Sequence, residues 1–412
     1  MGDGMEMDIK SSINFKDARQ ILLKLVEPVK TERVELASSA GRVLAEAITA
    51  AENVPPFDRS PYDGYAFRAV DSVNASRENP VTLKILEEVP AGAVPIKECV
   101  AGTATKILTG APIPKGADAV IMYERTEFTA ETVTIFAPAK SGDNIVYAGE
   151  DVKRGAVLAE AGGIIDTGTM GTLASQGMEK PLVYKIPKIG IISTGNEVIE
   201  VGNPLAPGKI YNSNRYTLTA AVKEIGCEPV YLGIAGDTSE GIAKLLEKGL
   251  AECDVILTTG GVSVGDYDMT PAAMELAGVE ILFRGVDLKP GMACAYGIKD
   301  GKLVCGLSGN PASSLINYYA VALPALRKLT GLANVIPEEI EVVLNSGFKK
   351  KSPGTRLLRG TLDLSQGEAR MILPKEQGNV MLNSIIGCNM MAIVPAGTGP
   401  IEAGTKLKGF LL

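Results

Sequence analysis

The stretch Asp254-Val-Ile-Leu-Thr-Thr-Gly-Gly-Val-Ser-Val-Gly-Asp-Tyr-Asp268 decides how the rest of the chain is read. Val255 to Thr259 is a short, continuous, β-rich run of the kind that forms a strand buried on both faces of a parallel sheet. Gly260, Gly261 and Gly265 follow, interleaved with Ser263, and then come the carboxylates Asp266 and Asp268. Thr270-Pro271 opens a helical pattern over Ala272 to Leu276, with Thr as a capping residue and Pro in the first turn. A glycine loop between strand end and helix start turns backbone N–H groups toward a ligand, and the helix dipole favours an anion. Carboxylates beside such a nest call for a cation, so one reading is phosphate plus a divalent metal. The other is a βα turn that uses glycine for geometry alone.

The same pattern recurs. Lys302 to Leu307 predicts a core strand followed by Ser308-Gly309-Asn310-Pro311 and an apolar helical run from Ala312 to Leu329. Lys188 to Ile192 predicts another strand, followed by Ser193-Thr194-Gly195-Asn196-Glu197. The strand Pro229 to Ala235 leads through Asp237, a candidate helix cap or ligand, into the helix Ser239 to Leu250. Tyr211 to Arg215 is a further polar loop, ahead of the helix Tyr216 to Ile225. Strands alternating with helices, with polar loops at the strand C-termini, describe an open α/β sheet whose ligands lie beyond those ends.

These residues carry a resemblance. Thr259 to Gly265 with Asp268, Leu288-Lys-Pro-Gly291, Gly306 to Pro311, Ser193 to Glu197 and Asp63-Gly-Tyr-Ala66 look like the MoeA family. Its members are molybdopterin molybdenumtransferases related to the E domain of gephyrin. The likeness runs over nearly all the chain with the motifs in family order, which makes it specific where any one motif is weak.

The chain has 412 residues, too many for one core, so two to four domains are expected. Hydrophobic residues at 46% and charged residues at 22% are globular values. No apolar run approaches the roughly 20 residues of a membrane span, and the acidic, polar start is unlike a secretory signal. The six cysteines are scattered without a Cys-x-x-Cys pair, which fits reduced, mostly buried thiols in a cytoplasmic protein. Histidine is absent. That removes histidine acid–base catalysis, Ser-His-Asp triads and His-ligated zinc, and leaves a metal to carboxylates and substrate oxygens, which favours Mg²⁺. A net charge of −7 argues against nucleic acid as the main partner. An anionic ligand must therefore be met by helix N-termini, glycine nests, Lys289 and Arg215.

Asn14 to Val26 predicts a helix capped by Asn14. The Pro-rich loop Glu52 to Pro61 marks a boundary. Tyr62 to Tyr147 shows only short strands, namely Val81 to Val89, Ala104 to Leu108, Ala119 to Tyr123 and Thr132 to Phe136. From Ile336 onward, short strands with close turns predict a small barrel or sandwich. The expected layout is multidomain α/β plus β. A discontinuous N-terminal domain (1–52 and 148–180) is interrupted by a β-rich domain (53–147). An α/β domain of molybdopterin-binding type (181–332) and a C-terminal β-barrel (333–412) follow.

What the resemblance implies is more definite. The substrates are adenylylated molybdopterin and molybdate or tungstate, molybdenum passes to the dithiolene sulfurs, and AMP leaves with help from Mg²⁺. Asp237, Asp268 and Glu197 hold the metal. Ser193, Thr194, Gly260, Gly261, Ser263, Gly265 and Ser308 to Pro311 bind the cofactor precursor, and Lys289 meets an oxyanion or a phosphate. Asp63, Thr109 and Asp151 close the cleft from the other subunit of a homodimer that hands over to molybdopterin adenylyltransferase or to molybdoenzymes. Asp-Gly and Thr-Gly are also ordinary turn pairs. Two departures stand out: Met292 occupies a position where many relatives have a second lysine, and Ser308 one where many have proline. A molybdopterin adenylyltransferase is a competing reading, and a non-catalytic gephyrin-like scaffold is a third.

Overall fold

The computed structural model describes residues 11–262, 269–365 and 367–412. They fall into two units. The first takes the N-terminal segment to Glu46, Ala161–Asp166 and Lys180–Leu412; the second takes Ala47–Glu160 and Thr167–Glu179.

The first unit is built on a seven-stranded sheet. Its strands are β1 (Ser11–Asn14), β2 (Lys188–Thr194), β3 (Glu228–Ala235), β4 (Val255–Thr259), β5 (Glu280–Asp287), β6 (Ala295–Lys299) and β7 (Lys302–Leu307). Their order across the sheet is β1-β5-β6-β7-β4-β2-β3. The block β7-β4-β2-β3 is parallel throughout, and β6 runs antiparallel to both its neighbours. Alternation along the central strands splits the core in two. Ile189, Ile191, Val255 and Leu257 join Leu22, Leu218 and Leu326 on one face. Ile192, Ile256 and Val304 join Ile242, Leu246 and Met274 on the other. Helices thus cover both faces, as a buried parallel sheet requires.

The predicted strands Val255–Thr259 and Lys302–Leu307 appear with those bounds. Helix α1 (Phe15–Leu25) is capped by Asn14, whose side chain accepts the Lys16 N–H. Helices α2 (Ser213–Glu224), α3 (Ser239–Glu252), α4 (Met269–Leu276) and α5 (Pro311–Asn317) follow strands in alternation. Three expectations are corrected. The helical run after Pro311 is interrupted by a π-helical turn over Tyr318–Ala322 before α6 (Leu323–Leu329). Thr270 lies inside the first turn of α4 and turns its hydroxyl to the Gly260 carbonyl, 2.9 Å away. Asp237 does not cap α3, because Thr238 does so through its side chain to the Gly241 N–H.

The C-terminal part of this unit is a closed five-stranded barrel, in the order Glu339–Leu344, Arg370–Ile372, Arg356–Asp363, Met390–Val394 and Lys406–Leu411. Closure pairs both edges of a small sheet. It has its own core around Val342, Leu358, Met371 and Val394.

The second unit contains a six-stranded sheet ordered Ala119–Met122, Gly64–Phe67, Thr103–Ile107, Val81–Val89, Thr132–Ile135 and Thr126–Phe128. One face packs Tyr65, Phe67, Leu83 and Val133, the other Ala66, Val89, Ile107 and Val120. All six cysteines are free, and all but Cys388 are buried. Among the described residues, no helix is long and apolar enough to cross a membrane.

Candidate active site

Parallel register builds the site. Ser193, Thr259 and Leu307 stand side by side on β2, β4 and β7, so the next residues, Thr194, Gly260 and Ser308, form one row where the strands stop. Beyond that row lies a cleft of about 530 Å³. Most of the predicted residues line it: Ser193, Thr194, Glu197, Asp237, Gly260, Gly261, Ser308, Gly309, Asn310 and Pro311. Asn212, Ser213 and Asn214 at the start of α2 line it too. They belong to the polar loop noted in the sequence, but no ligand role attached to them there.

Glycine is required at the centre of this row. Gly260 has φ +100, and a Cβ there would lie 2.4 Å from the Thr194 hydroxyl oxygen. A Cβ added at Gly309 would meet the Gly260 Cα only at an ordinary van der Waals distance of 3.5 Å, so this second glycine loop lies close to the first without being crowded by it. Gly261 at φ +64 feeds its carbonyl to the Thr270 N–H at 3.0 Å.

The donors are shared out differently from the expectation. The Gly260 N–H is spent on the Leu307 carbonyl at 2.9 Å, because a strand-like bond extends the ladder one residue past β4. The Thr194 hydroxyl donates to the Thr259 carbonyl at 3.1 Å, and the Ser193 hydroxyl to Asn212 Oδ1 at 3.0 Å. These groups hold the wall together and offer an anion no proton. The Ser308 hydroxyl oxygen accepts the Asn310 N–H at 3.3 Å, filling the turn. The N-termini of α2 and α5 open directly on the cleft and supply the favourable potential for an anion.

Two carboxylates face this space. Asp237 Oδ2 accepts the Asn196 N–H at 3.0 Å and is half-buried, whereas Glu197 is exposed. Among the described residues no group of three acidic or thiol side chains is close enough to hold a metal. Asp268, Ser263 and Gly265 lie outside the described residues.

The cations expected near the anion are elsewhere. Arg215 Nη1 pairs with Glu200 at 2.5 Å, and its guanidinium carbon stands 3.8 Å from the Tyr231 ring centroid. Burial raises the Glu200 carboxyl, but hydrogen bonds from Tyr231, Asn212 and Arg215 outweigh it and hold the group below its usual range. Lys289 is exposed and absent from the cleft lining. Its backbone N–H donates to the Thr355 carbonyl at 2.8 Å, tying Lys-Pro-Gly291 to the start of a barrel strand. Met292 is 52% exposed, which excludes a buried packing role. Val380, from the barrel segment, lines the cleft and was missed. Nothing near it in sequence marks it as a site residue.

Asp63, Thr109 and Asp151 belong to the second unit. Antiparallel pairing sets Gly64 opposite Ile107, which brings the flanking loops together. Both the Thr109 N–H and its hydroxyl donate to Asp63 Oδ1, each at 2.7 Å. These bonds hold the exposed Asp63 carboxyl below the ordinary carboxylate range. Asp151 is exposed, and its N–H donates to the Val54 carbonyl at 3.0 Å. No described hydrogen bond joins it to the Asp63–Thr109 pair.

Known proteins resemble this chain over most of its length. The family described as MoeA N-terminal region (domain I and II) matches residues 13–177, and that described as probable molybdopterin binding domain matches residues 190–328. The chain is 39% identical over 389 residues to a molybdopterin molybdenumtransferase of Bacillus subtilis (strain 168), covering 93% of this chain and 90% of that one. It is 36% identical over 400 residues to the protein of that name from Staphylococcus epidermidis, covering 97% and 96%. A molybdopterin biosynthesis moea protein from Pyrococcus horikosii has a similar crystal structure, with TM-score 0.86, 30% identity and coverage of 97% of this chain and 99% of that one. With sequence identity, length and fold in agreement, the chain belongs to the MoeA family.

Proposed function

We propose that the chain is a molybdopterin molybdenumtransferase of molybdenum cofactor biosynthesis. It accepts adenylylated molybdopterin and molybdate, places molybdenum on the dithiolene sulfurs and releases AMP. The observation that carries this reading is the row Thr194, Gly260, Ser308 at the ends of three parallel strands. It sets two glycine loops, two helix N-termini and two carboxylates around one cleft.

The phosphates of the nucleotide lie against the N-termini of α2 and α5, where unpaired N–H groups and the helix dipoles offset their charge. Ser193 and Thr194, committed to the wall, keep the floor rigid while the substrate changes charge. Glu197 and Asp237 are the described residues that would hold Mg²⁺, with Asp268 as the third carboxylate of the motif; all-oxygen donors suit that ion. When bound, Mg²⁺ supplies charge neutralisation at the pyrophosphate. Lys289, which is exposed and does not line the cleft, is the cation that would meet the oxyanion as it arrives. Asp63, Thr109 and Asp151 act from a second copy of the chain in a homodimer, and the four-part division expected from the sequence describes the domains.

The test is incubation with adenylylated molybdopterin, molybdate and Mg²⁺. AMP release that requires molybdate and Mg²⁺ and yields cofactor able to activate a molybdoenzyme is the expected result. Incorporation of AMP from ATP into molybdopterin without molybdate would assign the preceding adenylyl transfer instead. Inactivity in both assays would favour the scaffold.

A further inference from the structure

The C-terminal barrel carries a cavity of its own, about 680 Å³. Strand direction builds its walls. Glu339–Leu344 and Arg370–Ile372 run parallel, with Leu344 beside Met371, while the other described pairings of the barrel are antiparallel. Parallel neighbours end on the same side. The segments that follow them, 345–350 and 373–377, therefore leave the barrel together and line one hollow. Hydrogen bonds pin both. Asn345 Oδ1 accepts the Leu373 N–H at 3.0 Å, which ties one wall to the other. Phe348 exchanges backbone bonds with Ile401 at 2.7 and 2.8 Å. The Gln377 side chain bonds the N–H and the carbonyl of Arg359, at 3.1 and 2.9 Å.

Lys349, Lys350 and Lys375 all line this hollow and are all exposed. None of them has a carboxylate partner among the described residues. The same barrel matches cations elsewhere: Lys406 pairs with Glu341 at 2.8 Å and Arg370 with Glu368 at 3.2 Å. Glu376 is the one acidic residue of the lining, so positive charge is in excess there, in a chain whose net charge is −7. Like charges around one hollow repel each other, and a bound anion relieves that repulsion.

Lysine is a compact point charge with three donors, suited to phosphate from any direction. A single phosphate leaves part of such a charge excess unmet, whereas linked phosphates answer several lysines at once. We propose that this pocket binds a polyphosphate group, held among Lys349, Lys350 and Lys375. Two sources share that chemistry. One is a nucleotide, whose base would lie on the apolar part of the lining, Phe348, Leu373 and Pro374; the cavity is of the size that such ligands occupy. The other is inorganic pyrophosphate. The proposal is independent of the transferase reading, because this lining has no residue in common with that of the cleft.

Acetylation of the full chain with N-hydroxysuccinimide acetate, read lysine by lysine by mass spectrometry, tests the site without interference from the cleft. ATP or pyrophosphate should protect Lys349, Lys350 and Lys375 saturably. Lys115, whose side chain is 83% exposed in the second unit, should be acetylated as before. Protection should weaken as salt is raised. In the Lys349→Gln/Lys375→Gln variant, the ligand concentration that half-protects Lys350 should rise about tenfold. Its melting temperature should stay at the native value, since neither lysine removed holds a carboxylate. Tighter protection by ATP assigns the site to a nucleotide, and protection by pyrophosphate at least as tight assigns it to the phosphates alone; either upholds it. Absent or unsaturable protection, equal protection of Lys115, or unchanged half-protection in the double variant overturns it. So does tighter protection by hexaglutamate, which would give the hollow to an acidic protein segment instead.

Discussion

At the scale of single residues, Gly260 and Gly309 make a controlled pair. They sit in adjoining loops, yet only Gly260 combines positive φ with a Cβ position 2.4 Å from the Thr194 hydroxyl oxygen and 3.0 Å from its carbonyl oxygen. Gly260→Ala should therefore destabilise by at least about 2 kcal/mol in urea unfolding. Gly309→Ala should stay near the starting value. Asp237→Asn keeps an oxygen for the Asn196 N–H and so should keep the fold, while AMP release falls about a hundredfold if the carboxylate charge is what the reaction needs. Equal turnover by the Asn variant would sink that role. Glu200 makes a prediction about pH. Its folded carboxyl is depressed, so the Arg215–Tyr231–Asn212 bonds contribute their full stability above the ordinary glutamate range, and this is lost as pH falls through the lower folded value. Melting temperature of the native protein should drop faster below about pH 4.5 than that of Glu200→Gln. Parallel curves would show the network to be inert. Gly260, Gly309 and Asp237 stand out in the sequence, but the Glu200 network does not: Arg215 reads there as an anion ligand because sequence shows a cation and hides its partner.

At the scale of elements, reading the chain worked where burial is two-sided. The runs Val255–Thr259 and Lys302–Leu307 have apolar, buried centres and are followed by Gly and Asn loops, so their limits were visible. Edge and bent elements were not. Ser11–Asn14 is too short and polar to register as a strand and finds its partner in Glu280–Asp287. The π turn at Tyr318–Ala322 left no mark in an apolar periodicity that continues through it. Its neighbour Asn317 is fully buried, accepts the Tyr296 hydroxyl at 2.5 Å and donates to the Gly291 carbonyl at 2.7 Å. Asn317 thus fastens the Lys-Pro-Gly291 turn to α5. Replacing it with Leu strands both partners in the core and should cost about 2–5 kcal/mol in chemical denaturation. A loss below 1 kcal/mol would mean that water takes over both bonds.

At the scale of the whole molecule, the prediction concerns two copies. If Asp63 and Thr109 complete the cleft of a partner, Asp63→Ala and Asp237→Ala subunits, each inactive alone, should complement when mixed. Random exchange in a dimer leaves about a quarter of the clefts assembled from unmutated halves. Activity near that fraction, with heterodimers confirmed by mass, is the expected outcome; none at all would confine each residue to its own chain.

The strand order also dictates a timetable. Of the seven strands of the large sheet, Ser11–Asn14 leaves the ribosome before the others, but the strand that seats it, Glu280–Asp287, emerges some 270 residues later. Lys302–Leu307, which bridges the two halves of the sheet, comes later still. At about 5–20 residues per second, the opening strand waits on the order of a quarter of a minute to a minute with its ladder groups open. The six-stranded sheet of the second unit, contained within residues 64–135, is finished long before. The newborn chain therefore carries a completed six-stranded sheet while Ser11–Asn14 still awaits its partner strand, and that interval is when chaperones would find it.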